Sequence, residues 1–266
     1  MSVINKEYLD LQKEIIAKQA LWKDEILGDI KYENDVLKNK NIPLFEQVDL
    51  NVSIEKYGAW ISELIQLIAE KQPSISEDLN KVKAYLNKDL LDKWIHEVLA
   101  FNEYYFENIA KDINVNVWVL LFLAEHGIRP YLRRLAEVYA EDLPNFRHSG
   151  SCPCCGEPVR LAQLEGKAGK KVLYCPRCSA SWQEKRTKCS HCGKDHDEKM
   201  TYLHLEDDPS KQIYVCEDCK GYVKVIDSKE MIKKEEPALL DLKTIHLDIL
   251  AQEKGYGVTI GNKPMN

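Results

Sequence analysis

Cysteine is missing from the chain before Cys152 and after Cys219. Long hydrophobic runs are missing too: the longest, Val115 to Ala124 (VNVWVLLFLA), is about half of what a membrane-spanning helix needs, so no span is predicted. The first residues, MSVINKEYLDLQKEIIAKQ, carry acidic side chains and no apolar signal core, which predicts a cytoplasmic chain. Positive charge is in short supply. The net charge of −6 has the wrong sign for a protein living on nucleic acid or anionic lipid, and neither partner is expected. The local exception, Lys185, Arg186 and Lys188, reads as solvated surface. No H-E-x-x-H, phosphate-binding glycine loop or G-x-S-x-G occurs, and no enzyme is expected.

What is present changes character along the chain. Residues 1–147 repeat apolar positions at three- and four-residue intervals, which predicts an all-helical bundle of four to six helices. Ile61, Leu64, Ile65 and Ile68 form one stripe, stopped at Pro73, and Ser74 with Glu77 has the spacing of a capping box. One helix is predicted through Trp94, Ile95, Val98, Leu99, Phe101 and Tyr105 to near Asp112. The next, Ile113 to His126, is apolar almost all round and should be central, closed by Gly127 and Pro130; another follows from Tyr131 and ends at Pro144. Residues 148–227 exchange these stripes for Gly, Pro and Cys, with short strands such as Lys171–Tyr174 and Gln212–Val215. In residues 228–266, a charged linker from Asp227 to Glu236 leads to Pro237, then to an apolar helix through Leu239, Leu240, Leu242, Ile245, Leu247, Ile249 and Leu250, stopped at Gly255. The tail after Tyr256 is expected to be loosely ordered.

All nine cysteines lie in that middle segment, and eight form four Cys-x-x-Cys knuckles: Cys152/Cys155, Cys175/Cys178, Cys189/Cys192 and Cys216/Cys219. A two-residue spacer lets one tight turn offer both sulfurs to a single metal, so each knuckle is half a tetrahedron. Knuckles one and two are separated by 19 residues and three and four by 23, the range of a zinc ribbon or rubredoxin-like unit. The order knuckle, charged hairpin, strand, knuckle, aromatic (Trp182, Tyr222) occurs twice, which favours sequential over crossed pairing and predicts two tetrathiolate sites. Zinc and mononuclear iron both suit four thiolates. Such metals can stand in for the core that this segment lacks. Cys154 is read as a spare beside Cys155, with a reactive thiol as the alternative, and His191 as facing solvent rather than ligating. Residues 151–227 hold 13 Lys and Arg against 12 Asp and Glu, so two metal-loaded tetrathiolate sites of charge −2 make the segment net negative.

These features in this order resemble the formate dehydrogenase accessory protein family, FdhE. The match rests on Ser151-Cys-Pro-Cys-Cys-Gly156, Leu173-Tyr-Cys-Pro-Arg-Cys178 followed by Trp182, Lys188-Cys-Ser-His-Cys-Gly193 and Cys216-Glu-Asp-Cys-Lys-Gly-Tyr222. It extends to a closing helix, Pro237 to Tyr256, that generic zinc ribbons lack. Cys154 departs from the family's usual non-ligand residue. The resemblance implies a cytosolic maturation factor that binds the catalytic subunit of a molybdenum- or tungsten-dependent formate dehydrogenase, with a rubredoxin-like domain associated with iron. A rubredoxin-like electron-transfer protein and a zinc-ribbon nucleic-acid adaptor are the alternatives.

Overall fold

The computed structural model describes residues 4–33, 39–146, 149–195, 197–205, 208–229, 235–257, 259–260 and 263–264. The chain divides into two compact units. One comprises Glu7–Lys31 and Leu50–Arg134; the other comprises Met1–Lys6, Tyr32–Asp49 and Leu135–Asn266. The change of composition expected at 147/148, most of the charged linker (230–234) and parts of the tail (258, 261–262, 265–266) lie outside the described residues.

The first unit is helical. Helix α1 (Lys6–Asp24) turns Leu11, Ile15 and Trp22 inward. Helix α2 (Ile54–Lys71) starts where Ser53 Oγ accepts the Lys56 amide, and buries the expected stripe Ile61, Leu64, Ile65 and Ile68. Trp60 of α2 stacks on Trp22 at 5.4 Å between ring centroids and leans against Tyr131 at 5.5 Å. The capping box expected at Ser74 does not form: Pro73–Ile75 make a 3-10 turn, and α3 (Ser76–Tyr85) begins after Ile75 with no side-chain cap.

The helix expected through Trp94 and Tyr105 is in fact two, α4 (Lys88–Leu99) and α5 (Glu103–Ile113). Phe101 takes a left-handed φ of 54°, and Asn102 caps the new helix by accepting the Tyr105 amide. Conversely, Gly127 and Pro130 close nothing, for α6 (Val117–Val138) runs through both. Proline lacks the amide that would bond the carbonyl of residue 126. Gln19 Nε2 supplies a donor instead, reaching His126 O at 2.8 Å. Gly127 serves packing: a Cβ there would stand 2.8 Å from both Tyr57 Cε2 and Ile61 Cδ1 of α2.

The second unit is a six-stranded sheet in the order β3-β2-β1-β6-β5-β4, from β1 (Leu161–Glu165), β2 (Lys170–Tyr174), β3 (Ser181–Glu184), β4 (Met200–Leu205), β5 (Asp208–Cys216) and β6 (Tyr222–Asp227). Two antiparallel three-stranded halves meet at one parallel pair, β1 with β6, in the register Leu161 opposite Lys224 and Ala162 opposite Val225. The repeat legible in the sequence is therefore laid side by side, the first strand of one copy against the third of the next. One face buries Ala162, Leu164, Leu173, Tyr214, Val223 and Val225. The other packs Leu161, Ile213, Val215, Tyr222 and Ile226 against Leu240, Leu247 and Ala251.

Those last three side chains belong to α7 (Pro237–Lys243) and α8 (Ile245–Glu253), two short helices where one was expected. Pro237 occupies the first turn as expected, capped by the Glu236 carboxylate on the Ala238 and Leu239 amides. The break falls at buried Thr244, whose hydroxyl donates back to Leu240 O at 2.7 Å. Gly255 ends α8 with φ 83°. Lys224, fully buried on β6, holds both helices down: its ammonium lies 2.6 Å from Asp241 and 2.7 Å from Asp248. Arg160 Nε joins Asp241 at 2.9 Å, and Tyr222 OH donates to Asp248 at 2.8 Å.

Candidate metal centre

Four segments fold to one backbone pattern. In the first knuckle the Gly156 amide donates to Cys152 O at 3.0 Å and the Cys152 amide to Glu157 O at 2.7 Å. The same two bonds recur as Ser179 to Cys175 and Cys175 to Ala180, Gly193 to Cys189 and Cys189 to Lys194, and Lys220 to Cys216 and Cys216 to Gly221. The residue after the second cysteine is left-handed in every case, with φ of 73° at Gly156, 59° at Ser179, 74° at Gly193 and 58° at Lys220. Glycine fills this position in knuckles one and three without penalty; Ser179 and Lys220 hold it against the Cβ clash. The turn also aims amides at sulfur, as the Cys154 N–H does at Cys152 Sγ and the Gly221 N–H at Cys219 Sγ, each at 3.4 Å.

The knuckles come together as sequential pairs. Cys152, Cys155, Cys175 and Cys178 gather their sulfurs within 4.8 Å of one another, and Cys189, Cys192, Cys216 and Cys219 do the same. Within the clusters Cys152 Sγ is 3.6 Å from Cys178 Sγ, Cys155 Sγ 3.5 Å from Cys175 Sγ, and Cys189 Sγ 3.7 Å from Cys219 Sγ. A disulfide needs about 2.05 Å. A tetrahedron of thiolates about 2.3 Å from a central metal has edges of about 3.8 Å, close to the spacing found. The eight cysteines thus fit two metal ions by donor type, number and spacing.

Electrostatics point the same way. Burial pushes the thiols of Cys152, Cys155 and Cys178 well up, whereas Cys175, equally buried, is held well down by hydrogen bonds from those three thiols and from the Cys178 backbone amide. Four thiolates crowded at this spacing away from water require a cation among them. Arg177, 1% exposed inside the second knuckle, adds a fixed positive charge, with its Nη1 3.4 Å from Cys155 O. Such a charge offsets part of the −2 of a tetrathiolate around a divalent ion. Around the second cluster the cations lie outside, as Lys194 paired with Asp218 at 3.0 Å and Lys220 paired with Glu217 at 2.6 Å.

Of two readings of residues inside the knuckles, one changes and the other is narrowed. His191 does not face solvent: it is buried, its Nε2 donates to Tyr222 O at 2.7 Å, and a Cβ on Gly221 would strike its ring. It is a strut between the third knuckle and β6. Cys154 lies outside both sulfur clusters and is buried, with its thiol pushed up by burial, which argues against a reactive thiol. Its carbonyl accepts the Phe45 amide at 3.0 Å, and Pro153 O accepts that of Leu44 at 2.9 Å. A 3-10 turn at Leu44–Glu46, from the connection between α1 and α2, is thus clipped to the first knuckle, with Leu44 fully buried. No pattern in the sequence announces this contact between segments so far apart.

A second unforeseen link joins the clusters. Lys171 of β2, 2% exposed, lies 3.0 Å from the Glu184 carboxylate and donates to Lys188 O and Ser190 Oγ at the third knuckle. Ser190 O in turn accepts the Gly150 amide at 2.7 Å, just before the first knuckle.

A helical unit with a tandem four-cysteine ribbon fused into one sheet and closed by C-terminal helices defines the class of protein, and known proteins share it. Residues 187–265 match the family model described as the FdhE C-terminal domain. The curated "Protein FdhE homolog" of Shewanella sp. (strain MR-4) is 26% identical over 262 residues, covering 96% of this chain and 81% of the relative. That of Aquifex aeolicus is 28% identical over 170 residues, covering 60% and 55%. The crystal structure of the FdhE protein from Pseudomonas aeruginosa superposes with a TM-score of 0.60 at 17% identity, over 94% of this chain and 90% of that one. The chain is thus similar to FdhE proteins in sequence over most of its length, and in fold to one of them.

Proposed function

We propose that the protein is an accessory factor of formate dehydrogenase, which binds the catalytic subunit of a molybdenum- or tungsten-dependent enzyme and is needed for its assembly or activation. Similarity to FdhE proteins over most of the chain carries this reading. The site chemistry supports it. Each cluster offers four protein thiolates to one ion and leaves no position for water or substrate, so the metal shapes a surface rather than activating a nucleophile. The eight knuckle cysteines are the proposed ligands, for two ions of iron or zinc. The working compartment is the cytoplasm; no helix among the described residues is long and apolar enough to cross a membrane. Affinity capture of the tagged chain from its native host should recover a formate dehydrogenase catalytic subunit, and capture that repeatedly lacks one would refute the proposal.

One observation favours a second reading, rubredoxin-like electron transfer: Cys192 and Cys219 of the second cluster are partly exposed, and an exposed ligand is a route for electrons. Iron in that role gives a coloured, reversibly reducible protein when purified without oxygen. A colourless, redox-silent native protein ends this reading and leaves the accessory role intact.

A further inference from the structure

The two clusters share ligands and knuckle geometry but differ in their surroundings. In the first, all four cysteines are buried, the first knuckle's carbonyls are tied to Leu44 and Phe45, and Arg177 is folded in beside Cys155. In the second, Cys189 and Cys216 root the site in the sheet unit, while the closing cysteine of each knuckle, Cys192 and Cys219, reaches solvent. The cover over the fourth knuckle is thin. Among the described residues it includes the Glu217 amide on Lys199 O at 2.9 Å, the Gly257 amide on Lys220 O at 2.9 Å, the Tyr256 hydroxyl on Glu217 at 2.7 Å, and the Lys220 ammonium 5.5 Å from the Tyr256 ring centre. The flanking ion pairs are exposed, and exposed pairs open readily.

We infer that the second cluster is an exchangeable metal site, open to soft-donor ligands from solution, and that the first is permanent. The inference rests on reading both clusters as metal-loaded. A closed tetrahedral thiolate site exchanges when a new donor approaches a face that the protein leaves open. Among the described residues, only the face bearing Cys192 and Cys219 is open in this way. There the donor atom of an incoming thiolate or nitrogen chelator bonds to the metal, the metal–sulfur bond to Cys219 or Cys192 breaks, and the released thiolate takes a proton from water. No electrons change hands. Among the described residues the first cluster has no such face, and opening it requires detaching the Leu44–Glu46 turn or unfolding the sheet.

The full-length chain, reconstituted with zinc alone, should bind two ions. Mixed with excess 4-(2-pyridylazo)resorcinol, it should release them in two phases of equal size, with rates separated by about tenfold or more, as expected for local against wider opening. Cys219→Ser should abolish the fast phase and keep one slowly released zinc. Without any substitution, iodoacetamide added after the fast phase should label Cys189, Cys192, Cys216 and Cys219 and spare Cys152, Cys154, Cys155, Cys175 and Cys178. Release of both ions in one phase, or labelling of the first cluster before the second, overturns the inference. Fewer than two zinc ions bound before any chelator is added would count against the metal-loaded reading itself.

Discussion

Gln19 directs both protons of its amide at a single residue, reaching His126 O at 2.8 Å and His126 Nδ1 at 3.1 Å. The first bond replaces the amide that Pro130 lacks; the second requires an unprotonated Nδ1. Burial, with the nearby charges of Arg129 and Arg133, holds His126 well below the usual imidazole range. Unfolded chains therefore take up a proton below about pH 6.5 that the folded chain refuses, and stability falls as pH falls, by up to about 1.4 kcal/mol per unit. Urea unfolding of the helical unit between about pH 7 and 5.5 should show this slope, and His126→Gln should flatten it. Gln19→Ala should cost about 1–3 kcal/mol through the orphaned carbonyl. The loss should shrink in a Pro130→Ala background, where residue 130 regains its amide, and a double-mutant cycle reads the difference. Gly156→Ala, at a left-handed position, should cost about 1–2 kcal/mol, measured as a lowered denaturation midpoint of the metal-loaded chain.

Among elements, the legible and the hidden divide by range. Ile61, Leu64, Ile65 and Ile68 pointed correctly to one buried face of α2, and the dicysteine spacing led to the knuckles, because both signals span only a few neighbours. Helix ends are less legible, since they turn on partners elsewhere: Pro130 is tolerated inside α6 where Gln19 supplies the missing donor, and Asn102 restarts a helix that periodicity alone would continue. Lys224 escaped the sequence reading, because its partners Asp241 and Asp248 come near only once α7 and α8 fold onto β6. Lys224→Ala should cost about 3 kcal/mol, because it leaves the partly buried carboxylates of Asp241 and Asp248 without their shared ammonium. Limited proteolysis should then cut first in α7 and α8, and intact helices with a fully stable sheet would contradict this account of how they are held.

For the whole molecule, the two units draw their stability from different sources. The helical unit has a core of Trp22, Trp60, Trp94, Phe106 and Tyr131, whereas the sheet unit has apolar clusters on its two faces and, at its knuckles, eight cysteines whose thiolates need a bound cation to stay together. Stripping metal should therefore melt one unit and spare the other. Hydrogen exchange after chelation should show lost protection across residues 161–227, with α2 and α6 still protected. Uniform loss across the chain would contradict this division.

The side-by-side repeat also bears on assembly. Its joint is heterologous: the edge it consumes on one copy differs from the edge it consumes on the other, and the same pair of edges, β3 and β4, is offered again at the two ends of the finished sheet. A joint of that kind has no inherent stop and would extend into a filament of chains. Here β3 is four residues long, and the 3-10 turn Leu143–Asn145, with Pro144 inside it, lies against β3. A short strand covered by a proline-bearing turn is a poor template for a further strand. Of the two edges on which such an array could grow, the β3 edge is thus the less suited to receive a further repeat.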